Sequence, residues 1–209
     1  VVIIPVYNIS GSLNRGSFSR ANQNGPNAYG FRGNIQNLDL NRDFIKCDTE
    51  NARSFNKLFT KWNPDILIDN HTSNGADYQY VITLIPTQKD KMEPILSDYL
   101  QKELLPDLYA QMSEKKYEMT PYVYARNTPD EGIAGFLDYP RYSSGYASLH
   151  NCISFMPETH MLKPFKDRVW STYHFMVAML NHVEKNGDKL KDSRQKAIQN
   201  TKKKQRFDI

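Results

Sequence analysis

The chain has 209 residues, 39% hydrophobic and 24% charged, with 10 Gly and 11 Pro, which excludes collagen-like, low-complexity and wholly disordered chains and suits one domain. The net charge of +4 is concentrated at one end, since residues 181–209 carry nine Lys or Arg against four Asp or Glu; the body is close to neutral and no nucleic-acid partner is expected. No apolar run approaches the roughly 18 residues of a membrane span.

Taken in chain order, residues 1–7 (Val-Val-Ile-Ile-Pro-Val-Tyr) read as a buried strand of an α/β protein, where both faces are covered. Val1 follows no methionine and no leader with a charged and an apolar region, so further chain upstream is expected, with neighbours for this strand. Residues 8–34 are rich in Asn, Gly and Ser, with turn punctuation at Asn24, Gly25 and Pro26, and read as a functional loop. A helix capped by Asp48 or Thr49 shows one apolar face (Ala52, Phe55, Leu58, Phe59, Trp62) and ends at Asn63 and Pro64. A short buried strand at 65–69 delivers His71, and a second at 80–85 is closed by Pro86. Residues 89–115 have the spacing of a long amphipathic helix, with Pro106 as its breaking point. A short strand at 122–125, a Gly- and Pro-containing loop at 127–141 and a strand at 152–158 follow. The last helix starts after Pro164 and runs through Leu180. This alternation predicts an α/β fold with a mixed, mostly parallel sheet flanked by helices. One domain over 1–183 is expected, then a basic helical tail or linker over 184–209. Cys47 and Cys152 either pair or stay free.

In open α/β sheets, ligand sites gather beyond the carboxyl ends of strands. Asn41 and Arg42, His71 and Glu158 all fall in such places. A neutral imidazole is a common zinc ligand when a partner orients it, and alternation puts Asp69 on the same side as His71; the plain alternative is a structural histidine. A carboxylate at the end of the apolar run 153–156 needs a partner or a job, so Glu158 is either catalytic or in a buried ion pair. His160 shares its strand face, which makes a Glu/His metal pair conceivable. Arg32, Asn41 and Arg42 are donors suited to carboxylate recognition; surface ion pairing is the alternative.

Together these residues resemble a family. Arg32, Asn34, Asp39, Leu40, Asn41, Arg42 and Phe44 stand as in the Arg-x-Asn-x-x-x-x-Asp-Leu-Asn-Arg-Asn-Phe segment of zinc carboxypeptidases of the carboxypeptidase A/E type. Residues 4–8 are similar to its Pro-x-x-Asn strand and turn, with Ile9, Ser10 and Gly11 in place of Pro-Asp-Gly. Asp69 to Ser73 resemble the strand carrying the third zinc ligand, and Phe155 to Thr159 the one carrying the catalytic glutamate. The likeness runs in order to about residue 182, and Pro140 to Tyr146 match the secreted or periplasmic bacterial branch. The resemblance implies hydrolysis of C-terminal peptide bonds of substrates with a free carboxylate, and a zinc cofactor. It makes His71 a zinc ligand, Arg32 the group that polarises the scissile carbonyl, and Asn41 and Arg42 the holders of the terminal carboxylate. Glu158 becomes the general base and later acid. A loop tyrosine caps the substrate; Tyr139, Tyr142 and Tyr146 are in range, with Tyr142 or Tyr146 favoured. The family's first two ligands come from a His-x-x-Glu motif ahead of the first strand, and none of the five histidines here has Glu three residues on. The resemblance therefore implies that the other two zinc ligands are not in this chain. Two further readings stay open: a related zinc deacylase of N-acyl amino acids, and a catalytically inactive peptide binder.

Overall fold

The computed structural model describes residues 1–20, 23–125 and 127–206. Two residues of the Asn-rich stretch and the last three of the 184–209 tail thus lie outside the described residues. In chain order the elements are α1 (Ile9–Leu13), β1 (Arg15–Gly16), β2 (Tyr29–Gly30), a 3-10 turn (Leu40–Arg42), α2 (Glu50–Trp62), β3 (Ile66–Ile68), β4 (His71–Ser73) and β5 (Ile82–Pro86). Helices α3 (Pro94–Tyr99) and α4 (Leu105–Glu114) follow, then β6 (Met119–Pro121), β7 (Val123–Ala125), β8 (Ile133–Gly135), α5 (Ser143–Ser148), β9 (Ile153–His160) and α6 (Phe165–Lys203).

The main sheet is built around β9. Strands β3 and β4 both run parallel to it on one side; β5 runs antiparallel on the other, and β6 pairs parallel with β5. The sheet is mixed and mostly parallel, as expected. All but one of the eight β9 residues are buried, Glu158 being the exception, and so long an apolar run is stable only where both faces are covered. Alternation divides the core. Ile153 and Phe155, with Ile82 and Leu84, meet Leu96, Leu100, Leu104, Leu108, Phe175 and Met179 of the α3, α4 and α6 layer. Cys152 and Met156 face the opposite way, toward Phe44, Phe59, Tyr142 and Tyr146 around α2 and α5.

Helix α2 starts where its chemistry dictates. The Thr49 hydroxyl accepts from Ala52 N, and the helix ends at Asn63 in the left-handed region (φ 46°). Asp43, 3% exposed, accepts hydrogen bonds from Asp48 N (2.9 Å), Thr49 N (2.9 Å) and Thr49 Oγ1 (2.6 Å). Burial alone would raise its pKa, but these three bonds, aided by Lys46, hold it below the ordinary aspartate value. The unfolded chain therefore takes up this proton first as pH falls. The stability Asp43 contributes is complete above the ordinary aspartate pKa near 4 and is lost as pH falls through the folded value. Asp43→Asn should lose about 2 kcal/mol at pH 7, with the gap to wild type in urea midpoints closing below pH 4. A gap independent of pH would show that the carboxylate charge does not organise this loop.

Two local expectations change. Residues 1–6 form no strand: Val1, Val2, Ile3, Ile4 and Val6 are exposed, because no described strand lies beside them to complete a ladder, and an apolar sequence without a partner has no sheet to join. Pro106 does not break the helix; a π turn (Leu100–Leu104) joins α3 to α4 and places the proline in the first turn of α4, where its missing N–H is tolerated. Helix α6 runs 39 residues, unbroken through residues 183 and 184, and buries Leu190 and Ala197 in the main core. It also buries Arg194, whose guanidinium donates to the carbonyls of Asn63, His150 and Asn151 and to Asn63 Oδ1 and Asp65 Oδ1. Both cysteines are free.

Candidate functional site

Strand register positions the central pair. His71 of β4 lies opposite Glu158 of β9 in the parallel ladder, so both side chains leave the sheet on the same face. His71 Nδ1 is 3.7 Å from Glu158 Oε1, and its Nε2 is 2.8 Å from Asp69 Oδ2. The imidazole is thus fixed from behind by Asp69, with its second nitrogen turned to Glu158. Burial alone would lower the imidazole's pKa, but Asp69, by charge and hydrogen bond, and Glu158, by charge, raise it to about 9. Glu158 is raised, chiefly by burial, against the pull of His71, Arg32 and Arg20. Asp69 is lowered, because the imidazole outweighs its own burial.

A cavity of about 240 Å³ opens beside this pair, lined by Tyr7, Arg20, Arg32, Asn41, Asp69 and His71 among others. Asp39 organises its rim twice over. One oxygen accepts from Arg32 Nε and Nη2 (3.1 and 2.8 Å), the other from Asn41 N (3.0 Å), capping the Leu40–Arg42 turn. Asn41 Oδ1 is buried with no protein partner, an acceptor left for something that enters the cavity.

A second cavity of about 350 Å³ is walled by Tyr124, Phe136, Leu137, Tyr139, Arg141 and Tyr142. Arg42 stacks on the Tyr142 ring at 4.6 Å from its centroid, and Arg141 approaches the same ring at 5.2 Å. Arg32, Asn41 and His71 thus line one cavity, Glu158 stands against His71, and Arg42 meets Tyr142 on the wall of the other. Tyr146 is not. It is 7% exposed and packs with Phe44, Phe59 and His150 in the aromatic core under α5, so the ring is held by packing and does not reach either cavity. Tyr142 is itself pinned at 9% exposure, against Phe136 and the two guanidinium groups. The more exposed tyrosines lining the same cavity are Tyr139 and Tyr124, at 55% and 50%. His160 is engaged elsewhere: Nε2 meets Gly75 O at 3.1 Å, and Nδ1 accepts from Leu162 N and lies 3.7 Å from Asp77 Oδ1.

Sequence reasoning missed Arg20, Asp39 as an organiser, and Tyr124. Arg20 sits in an aperiodic stretch and carries no motif. Asp39 could have been found from its spacing, two residues before Asn41, where an Asx-type cap acts.

Among the described residues no three His, Cys, Asp or Glu side chains could together hold a metal ion. The donor set present fits one corner of a metal centre, not the whole of it. No described helix is long and apolar enough to cross a membrane.

The sequence matches no family model and no curated protein. The fold does match solved structures. A metallo-carboxypeptidase from Burkholderia cenocepacia superposes with a TM-score of 0.57 at 17% identity over 75% of this chain. A metallo-carboxypeptidase from Pseudomonas aeruginosa, solved in complex with (2-guanidinoethylmercapto)succinic acid, gives 0.55 at 14% identity over 77% of it. The matches cover 42% of each of those chains. The likeness is one of fold, and the fold is that of metallo-carboxypeptidases.

Proposed function

We propose that this chain is part of a zinc metallocarboxypeptidase that removes C-terminal residues from peptides, in a secreted or periplasmic bacterial protein. The observation that carries the reading is the aligned row Asp69, His71 and Glu158. A carboxylate fixes the imidazole through Nε2, and a partly desolvated second carboxylate sits 3.7 Å from Nδ1. In this reading His71 is the one zinc donor of the chain, and the remaining donors come from residues outside it. The 209 residues alone should therefore show no saturable zinc binding in a calorimetric titration; tight binding of one equivalent would overturn the assignment of His71 as a lone donor.

The residues of this chain then take distinct roles. Glu158, whose pKa burial raises, accepts a proton from the attacking water and returns it to the leaving amine. Arg32, whose Nε and Nη2 both donate to one oxygen of Asp39, presents a positioned cation to the oxyanion that forms as the carbonyl is attacked. Asn41 and Arg42, on one capped turn, take the free carboxylate of the terminal residue. In this reading the more exposed Tyr139 or Tyr124 caps the substrate, and the buried Tyr142 serves as the platform on which Arg42 stacks.

The test uses the zinc-supplied protein that contains this chain, peptides with free or amidated C-termini, and N-acyl amino acids. Release of the terminal residue from the free acids only is expected. Equal cutting of the amides, or preference for N-acyl amino acids, would overturn the reading in favour of an endopeptidase or a deacylase.

A further inference from the structure

Arg42 and Arg141 share one ring and lack acidic partners. Each guanidinium carbon lies within about 5 Å of the Tyr142 centroid, 4.6 Å for Arg42 and 5.2 Å for Arg141. Among the described residues no carboxylate stands within ion-pair distance of either. Arg42 donates only to the carbonyl of Asn41, and Arg141 only to the Tyr142 hydroxyl, at 3.4 Å. The nearby Asp138 does not neutralise them, since it is buried and paired with Lys91 at 2.9 Å. Two like charges against one aromatic platform, beside a cavity of about 350 Å³, repel each other and are stabilised by an incoming anion with two charged groups.

We propose that Arg141 is a specificity-determining residue which, with Arg42 on the same tyrosine, forms a dianion site selecting peptides that end in glutamate or aspartate. The inference rests on the carboxypeptidase reading, in which Arg42 holds the terminal carboxylate, and adds to it the side-chain carboxylate for Arg141. The dimensions agree. The two guanidinium carbons are at most about 10 Å apart, given their distances to the shared centroid. The two carboxyl carbons of glutamate, four bonds of about 1.5 Å apart, span about 5 Å. A fork-to-fork contact adds about 4 Å at each end, so one glutamate reaches both cations. Phe136 and Tyr124 wall the cavity where its methylene groups lie. A basic terminal side chain meets charges of its own sign there, and an aromatic one leaves Arg141 unpaired.

The test is calorimetric titration of the chain with N-acetyl-Ala-Glu, N-acetyl-Ala-Gln, N-acetyl-Ala-Phe and the C-terminal amide of the Gln peptide, in wild type and in Arg141→Gln. Arg141 is exposed, and an unchanged thermal midpoint checks that the variant folds. The Glu peptide should bind wild type at least tenfold tighter than the Gln peptide. Arg141→Gln should bring the two within twofold while leaving the Gln peptide's affinity as it was. Equal affinity of the Glu and Gln peptides for wild type, tighter binding of the Phe peptide, or a gap that survives Arg141→Gln overturns the proposal. If the Gln peptide nevertheless binds better than its amide, the carboxypeptidase reading stands and only the dianion site fails. If amide and acid bind alike, or nothing binds, both fail.

Discussion

Glu158→Gln, in the zinc-supplied protein that contains this chain, should lower turnover by between roughly 10² and 10⁴, the range expected for loss of a general acid–base, with metal content unchanged. The amide preserves the shape of a side chain that is 13% exposed, so the strand and its register survive. What it removes is the acceptor and carrier of the proton. Peptide binding should stay within a few fold of wild type, because the groups assigned to the terminal carboxylate, Asn41 and Arg42, lie on a separate turn. Activity and metal content measured on one preparation decide the matter. Loss of zinc with loss of activity would make Glu158 a ligand, and retention of activity would remove it from the chemistry.

The second large effect is on stability. Arg194→Ala should cost about 2 to 4 kcal/mol, because a buried side chain is truncated and its charge-assisted hydrogen bonds are lost, against a total that is of order 5–15 kcal/mol for such domains. The guanidinium is 2% exposed and joins the end of α2 (Asn63), the start of β3 (Asp65) and the turn before β9 (His150, Asn151) to α6. Removing it breaks five hydrogen bonds that tie three segments to α6. Arg194→Lys should recover little, since one ammonium cannot serve five acceptors spread around a planar fork. Urea midpoints at constant slope measure both; a loss under 1 kcal/mol for the alanine variant would mean that water replaces the network.

The architecture and the central pair could be read from residue pattern because each depends on local rules. Thr49 and the Asn63-Pro64 pair punctuate α2, the unbroken apolar run before Glu158 demands a strand covered on both faces, and Asp69 and His71 share a face by alternation alone. What could not be read depends on contacts distant in sequence. Residues 1–6 have the composition of a strand but no partner strand beside them among the described residues. The packing of Arg194 is invisible in a charge-rich stretch, since nothing local distinguishes an arginine that points at three carbonyls from one that points at water. Tyr142 and Tyr146 are four residues apart in near-identical surroundings, yet one lines a cavity and the other fills a core. Only the turn of α5 against β9 separates them.

The placement of Glu158 on the innermost strand has a kinetic consequence. Amide protons of β9, bonded on both edges, should exchange with solvent only through global opening, whereas those of the Leu40–Arg42 turn and of the segment between β8 and α5 should exchange through small local excursions. Gentle warming or low denaturant would then loosen the Leu40–Arg42 turn well before the strand that carries Glu158, so that under the proposed reading the grip on a terminal carboxylate fades before the general base is displaced.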